Sequence, residues 1–335
     1  MKSAEIASEE IKIKKKRKMG KGEGKKHGAY FLMLLPGTIF LFIFSYLPLP
    51  GLFMAFKNYR VAIPPKDFWL QNTFLYSLFF NEGSKWVGLD NFQYIFKSSD
   101  FGIFMRNTLG YNILFMVVGL FFALAIAVGI NELRQRFAAK FYHTVIFLPY
   151  FLSWIIVTYV VYAIISSNGL LNKALLSMGM ETVDIYSKTS VWPFIFLFAN
   201  IWRYAGNNSI IYLATVSGFD QNLYEAAAID GAGKWKQFKN ITFPLLVPTI
   251  VLLQILAVGR ILNGDFDMFW NLPNGAGTLR AATLTLDVYV YGAMRTAQNL
   301  GLPAAAAFFQ SIVGFILVLT TNGIVRKTQP DMAMF

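Results

Sequence analysis

Cysteine is absent from this 335-residue chain, and histidine occurs only as His27 and His143. These absences exclude a disulfide framework, a thiolate metal site and a cysteine nucleophile, and they leave too few imidazoles for a histidine metal cage. No metal ligand set is therefore expected. Charge is also scarce: Asp, Glu, Lys and Arg make up 14% of the residues, against roughly 25% in an ordinary soluble domain. Acids are scarcer than bases, 18 against 30, which leaves a net charge of +12. What the chain has in abundance is apolar surface, with 56% hydrophobic residues including 33 Phe, 16 Tyr and 7 Trp. That composition excludes a water-soluble enzyme of average type and disfavours catalysis.

The basic surplus is polarised. Ten of the thirty basic residues fall within residues 1–28 (Lys2, Lys12, Lys14, Lys15, Lys16, Arg17, Lys18, Lys21, Lys25 and Lys26). A run this polar cannot bury enough apolar surface to fold, so residues 1–28 are expected to form a disordered tail drawn to anionic lipid. A nucleic-acid arm is the competing reading. It is disfavoured because a hydrophobic run follows at once, so no nucleic-acid partner is expected. That run is too long for a signal-peptide core and lacks a small-residue cleavage site, so it is expected to remain as a membrane anchor.

A bilayer core requires about 20 predominantly apolar residues per helix. Six windows qualify, near residues 29–56, 104–130, 141–166, 191–216, 244–264 and 303–324. Pro36, Pro48 and Pro50 interrupt the first window, and polar residues dilute the fourth and fifth. The expected fold class is an all-α membrane protein, with six transmembrane helices in residues 29–335 and a first outer loop at 57–103. Basic residues between spans set the orientation. With the N-terminus inside, the inner segments hold the tail, then Arg134, Arg136 and Lys140, then Lys234, Lys236 and Lys239, then Arg326 and Lys327; the outer loops hold nine bases balanced by nine acids. Both termini are thus expected to be cytoplasmic, in a multi-pass plasma-membrane protein.

The inner loop at 217–243 is the most informative stretch. Asp220 is a plausible N-cap for a short helix containing Glu225, Ala226, Ala227 and Ala228, whose small side chains permit close approach of another surface. Asp230 and Gly231 are expected to break that helix. A second, amphipathic helix is expected from Lys234, with Trp235, Phe238 and Ile241 on one face, until Pro244 resets the chain into the fifth span. Gly231-Ala232-Gly233-Lys234 is not a phosphate loop, because the G-x-x-x-x-G-K-[ST] pattern needs Gly where Ala228 stands and Ser or Thr where Trp235 stands. No ATPase site is expected in this chain.

Glu225-Ala226-Ala227, Gly231 six residues beyond Glu225, and then Ile241 and Pro244, with Phe243 in place of the usual Leu, resemble the EAA loop of permease subunits of type I ATP-binding-cassette importers. Further stretches resemble the carbohydrate-uptake branch of that family: Pro36-Gly37, Tyr46-Leu47-Pro48, Trp86-Val87-Gly88-Leu89-Asp90-Asn91-Phe92, Asn107-Thr108, Leu148-Pro149, and Trp202-Arg203 with Gly206. The resemblance implies the six-helix permease fold, with Glu225, Ala226, Ala227, Asp230 and Gly231 forming a coupling helix and turn that dock on an ATP-hydrolysing subunit. It implies a second permease subunit as partner, expected to be a different chain, together with two ATP-binding-cassette ATPases and an extracellular solute-binding protein. ATP and Mg would be bound by the ATPases, with no cofactor in this chain.

Ionisable groups inside hydrocarbon are costly, so Arg203 and Arg260 are expected to face protein or a wet cavity. Asn200, Arg203 and Asn207 share one helical face with Asn208 beside them, and Arg260, Asn263 and Asp267 repeat that spacing if the fifth helix continues past Gly264. Two such stripes would suit a translocation path; interhelical hydrogen bonding or contact with a second permease subunit is the alternative. Asp265 and Asp267 are placed at the outer mouth, Trp202 and Trp270 are candidate sugar contacts, and His143 reads as a hydrogen-bonded interface residue. The expected function is import of oligosaccharides or polysaccharide fragments as half of a pore. Amino-acid, peptide or phosphate permeases share the loop and remain alternatives. A secondary transporter is disfavoured for want of mid-span carboxylates, and a membrane glycosyltransferase has only Asp265 and Asp267 to offer.

Overall fold

Long apolar runs form helices here because a helix satisfies every backbone N–H and C=O within its own segment, which a bilayer core demands. The computed structural model describes residues 21–59, 85–133 and 135–335. Two units are distinguished, residues 1–53 and 54–335. In the first, helix α1 (Lys21–Leu41) runs on through a π-helical turn, Phe42–Tyr46. Residues 21–28, within the stretch expected to be a disordered tail, are therefore helical. Lys is a good helix former, and extending an existing helix costs little. Residues 1–20 of the expected tail, and residues 60–84 of the first outer loop, lie outside the described residues.

The second unit contains α2 (Asp90–Phe96), α3 (Phe101–Asn131), α4 (Arg136–Phe147), α5 (Trp154–Ile165), α6 (Leu170–Ser177), α7 (Trp192–Ser217), α8 (Gln221–Ile229), α9 (Lys234–Val258), α10 (Phe266–Asn271), α11 (Leu286–Ala297) and α12 (Gly301–Thr328). Among the described residues, five segments are long and apolar enough to cross a membrane: Tyr30–Phe56, Phe101–Asn131, Trp154–Ser177, Lys234–Val258 and Gly301–Thr328. Helix α7 has 26 residues, a sufficient length, but its polar residues keep it out of that set.

The second, fourth and sixth expected spans match α3, α7 and α12 to within a few residues. The third does not form one helix. Pro149 has no N–H to continue α4, so the chain tightens into a 3₁₀ turn at Leu148–Phe151 and restarts at Trp154, with the Ser153 hydroxyl accepting from the Ile156 N–H. The fifth span begins earlier and ends sooner than expected. No turn separates the basic segment from it: a π-helical turn at Phe238–Thr242 absorbs Pro244, and α9 continues unbroken from Lys234 to Val258.

Helices α3 and α7 lie side by side and run parallel. Tyr111 near the start of α3 meets Phe196 near the start of α7 at a ring separation of 5.6 Å. Ala123 and Ala127 farther along α3 pack with Tyr212 and Val216 of α7 and Leu246 of α9. Helix α9 crosses α12 where Gly259 faces Gly314, a contact so close that a Cβ on Gly314 would stand 2.1 Å from the Gly259 carbonyl oxygen. One end of this unit gathers Asp100, Arg280, Asn91 and Asn299. The other gathers Glu132, Lys234, Asn131 and Ser217.

Candidate functional site

The fifth span is broken, and the break builds a cleft. Helix α9 stops at Val258, the chain turns through Arg260–Leu262, and helix resumes as α10 with Asp265 as its cap. Carbonyls released by such a break need partners at membrane depth. The Asn112 Nδ2 of α3 donates to the Ile261 and Asn263 oxygens at 2.8 and 3.2 Å. The Gln310 Nε2 of α12 donates to the Leu262 oxygen and to Asp287 Oδ1, both at 2.9 Å. Asp287 Oδ2 in turn accepts from the Gly264 N–H at 2.6 Å. Burial pushes the Asp287 carboxyl above the ordinary carboxylate range, against the opposite pull of those two hydrogen bonds.

The resulting cleft has a volume of about 710 Å³ between α3, α7 and α9. Asn200, Tyr204, Asn207, Asn208 and Ile211 supply one helical face of α7; Gln254, Arg260, Asn263 and Asp265 supply the opposite side. Each asparagine offers two N–H donors and a carbonyl acceptor, a surface suited to hydroxyl-rich solutes.

Of the predicted path residues, Asn200, Asn207, Arg260 and Asn263 are brought together here, joined by Asn208 and by Asp265, which was expected at the outer mouth, while Arg203, Trp202, Asp267 and Trp270 do not line the cleft. The Arg203 guanidinium lies 4.5 Å above the Trp154 ring and donates to the Tyr204 hydroxyl at 3.1 Å, so Tyr204 takes the wall position instead. Trp202 sits on an exposed side of α7. The stripe Arg260, Asn263 and Asp267 fails as a helical face because α9 ends before it. Trp270 packs its ring with Phe266 and Tyr291. Asp265 is a wall residue of the cleft. It accepts from Trp154 Nε1 at 2.8 Å and from the Tyr204 hydroxyl at 2.7 Å. His143 Nε2 is buried with no hydrogen-bond partner among the described residues. Sequence reasoning missed Asn112, Gln254, Gln310 and Asp287. The first three are amides within long apolar helices, and that setting was the available signal.

A second region lies at the end that holds Glu132 and Lys234. Helix α8 is capped by Asp220, whose side chain accepts from the Asn222 N–H at 3.0 Å. It closes at Gly231, with φ +76°, where the Ala232 N–H reaches the Ala227 oxygen at 2.8 Å and the Gly231 N–H reaches Ala228 at 3.0 Å. That pair is a Schellman closure. No α8 residue is buried. Glu225, Ala226 and Asp230 are exposed and Ala227 half-buried, while Tyr224 anchors the helix through Thr242 at 3.0 Å.

Residues 116–266 match the family model described as binding-protein-dependent transport system inner membrane component. Across 301 residues the chain is 34% identical to the polygalacturonan/rhamnogalacturonan transport system permease protein YteP of Bacillus subtilis (strain 168), covering 89% of this chain and 87% of that one. The chain belongs to this permease family. A second Bacillus subtilis (strain 168) relative, Protein LplB, is 32% identical over 298 residues, 89% of this chain and 88% of that one. Among solved structures, a chain of a bacterial ABC transporter involved in the import of the acidic polysaccharide alginate superposes with a TM-score of 0.75 at 29% identity. It covers 92% of this chain and 98% of that one.

The permease is therefore a multi-pass inner-membrane component of an ATP-binding-cassette importer. Several of its sequence motifs turn out to be ties between segments. Asn91 is buried; its Nδ2 donates to the Ala55 and Lys57 oxygens at 2.8 and 2.9 Å, and its Oδ1 accepts from Asn299 at 3.0 Å. Asn107 donates to the Ala281 and Leu284 oxygens, and the Thr108 hydroxyl accepts from the Leu286 N–H. Gly206 lets α7 cross the Ile146 backbone, since a Cβ there would come within 2.5 Å of the Ile146 oxygen.

Proposed function

We propose that this permease forms half of a translocation pore for oligosaccharides or polysaccharide fragments, with the cleft between α3, α7 and α9 as its side of the substrate path. The observation that carries the reading is the polar face Asn200, Tyr204, Asn207 and Asn208 opposite a broken helix, in a fold whose relatives carry carbohydrate names. A second permease closes the pore and an extracellular solute-binding protein delivers the sugar. Two ATPase subunits, which hold ATP and Mg, dock on α8 through the surface around Glu225, Ala226 and Gly231. Closure of the ATPases then moves α8 as a rigid body and rocks the spans about the cleft. Both termini and the 217–243 loop are cytoplasmic in this reading, on the basic side of the membrane.

The test is ATP-driven uptake of labelled oligosaccharides by the complete transporter in proteoliposomes. Asn207→Leu and Asn263→Leu keep comparable bulk but remove hydroxyl-bonding groups, so both are expected to lower uptake about tenfold while the complex still assembles. Normal sugar uptake in both variants would remove this cleft from the path. Uptake of amino acids, peptides or phosphate in place of any sugar would replace the substrate class.

A further inference from the structure

The proposed path holds one cation with nothing to answer it. Arg203 and Arg260 both approach the cleft, but Arg203 is occupied by the Trp154 face and the Tyr204 hydroxyl. Arg260 is exposed on the cleft wall, and its guanidinium has no hydrogen bond or ion pair among the described residues, whose two ion pairs, Lys234–Glu132 and Arg280–Asp100, lie at the two ends of the second unit. The nearby carboxylates are committed elsewhere. Asp265 takes Trp154 and Tyr204 on Oδ2 and faces the Met268 N–H with Oδ1. Asp287 is held by Gly264 and Gln310 and is not part of the wall.

We infer that Arg260 is an anion subsite for the carboxylate of a uronic-acid unit, so that the permease carries acidic rather than neutral oligosaccharides. This rests on the carbohydrate reading above and adds the charge of the cargo. Sugar hydroxyls need no guanidinium, because the asparagines opposite already supply neutral donors and acceptors. A cation left unmatched at membrane depth is costly, and an anionic solute removes that cost only while it passes. The planar guanidinium fork fits a planar carboxylate with two parallel N–H···O bonds, which a lysine ammonium does not reproduce. Asn207 and Asn263 then serve the hydroxyls of the same or the adjoining ring.

The experiment compares trigalacturonate with its uncharged methyl ester as cargo for the complete reconstituted transporter, in the parent and in Arg260→Gln and Arg260→Lys. Each variant is referred to the parent on the same sugar, which cancels the selectivity of the binding protein. A hydrogen bond to a charged group contributes about 1.5–3 kcal/mol, so Arg260→Gln should raise KM for the carboxylate form roughly tenfold or more relative to the ester. Arg260→Lys should recover part of that loss. The inference is overturned if the parent carries only uncharged sugars, if Arg260→Gln affects both sugars equally, or if the variant complex fails to assemble, which would mark Arg260 as a contact of the second permease. A parent that carries neither these two sugars nor a neutral trisaccharide such as maltotriose overturns the carbohydrate reading itself.

Discussion

Asp265 accepts a hydrogen bond from α5 and another from α7 while capping α10, so a single carboxylate fixes the geometry of three elements at the cleft. Through Tyr204 it also answers Arg203, whose charge would otherwise stand over the Trp154 ring with no acid near it. Removing the carboxylate strands the Trp154 N–H and the Tyr204 hydroxyl in a half-buried place, and an unmet buried donor costs about 1–3 kcal/mol. Asp265→Ala is expected to lower the thermal unfolding midpoint of the detergent-solubilised protein. Asp265→Asn keeps one acceptor oxygen and should lower it less. If the alanine variant melts with the parent, these bonds do not hold the cleft together. The sequence marks Asp265 only as a charge near an apolar run; its two partners lie 111 and 61 residues away, beyond any local pattern.

At the scale of elements, features that depend on neighbours in the chain were legible. Asp220 as a cap, the exposed Ala-rich helix and Gly231 as its stop all follow from local backbone chemistry. The polar face of α7 was half legible, since period alone places Asn200, Arg203 and Asn207 together but cannot tell that Trp154, from another helix, draws Arg203 aside. The end of α9 was not legible: Gly259 permits either continuation or a stop, and the stop is sustained by Asn112 and Gln310 from α3 and α12. Helix α8 offers a separate test. Glu225 is exposed and belongs to no ion pair among the described residues, so Glu225→Lys should leave membrane insertion unchanged and the unfolding free energy within about 0.5 kcal/mol of the parent. Substrate-stimulated ATP hydrolysis should nevertheless fall several-fold, because the reversal places the opposite charge on the docking face. Gly231→Pro should lower hydrolysis and stability together, since it removes the N–H given to Ala228 and forbids φ +76°. Full stimulation in Glu225→Lys would dismiss α8 as the coupling element.

At the scale of the whole second unit, helix directions and charge give one topology. Helices α3 and α7 are parallel, so the chain between them must cross back once, and α5 makes that return although Pro149 splits the segment in two. Helix α9 returns again: its early residue Leu246 meets the late residues Tyr212 and Val216 of α7. Its last turn meets the middle of α12 at Gly314, and the α12 start lies with Asn91 and Asn299 at the opposite end. These contacts sort the loops into two sets without reference to a membrane. The set containing Lys234, Lys236, Lys239, Arg326 and Lys327 is the basic one, and it is the set that the function proposed above places in the cytoplasm by the positive-inside rule. Because the chain has no cysteine, single cysteines report position without background. Ser99 is exposed just before α3 and Ser217 is exposed at the end of α7, on opposite sides of the unit. Ser99→Cys is expected to react with a membrane-impermeant maleimide in intact cells, and Ser217→Cys only after the membrane is opened. Labelling of Ser217→Cys alone in intact cells would invert the orientation and place α8 on the outer face, out of reach of any ATPase. Labelling of both before lysis would break the two-set sorting and with it the parallel packing of α3 and α7.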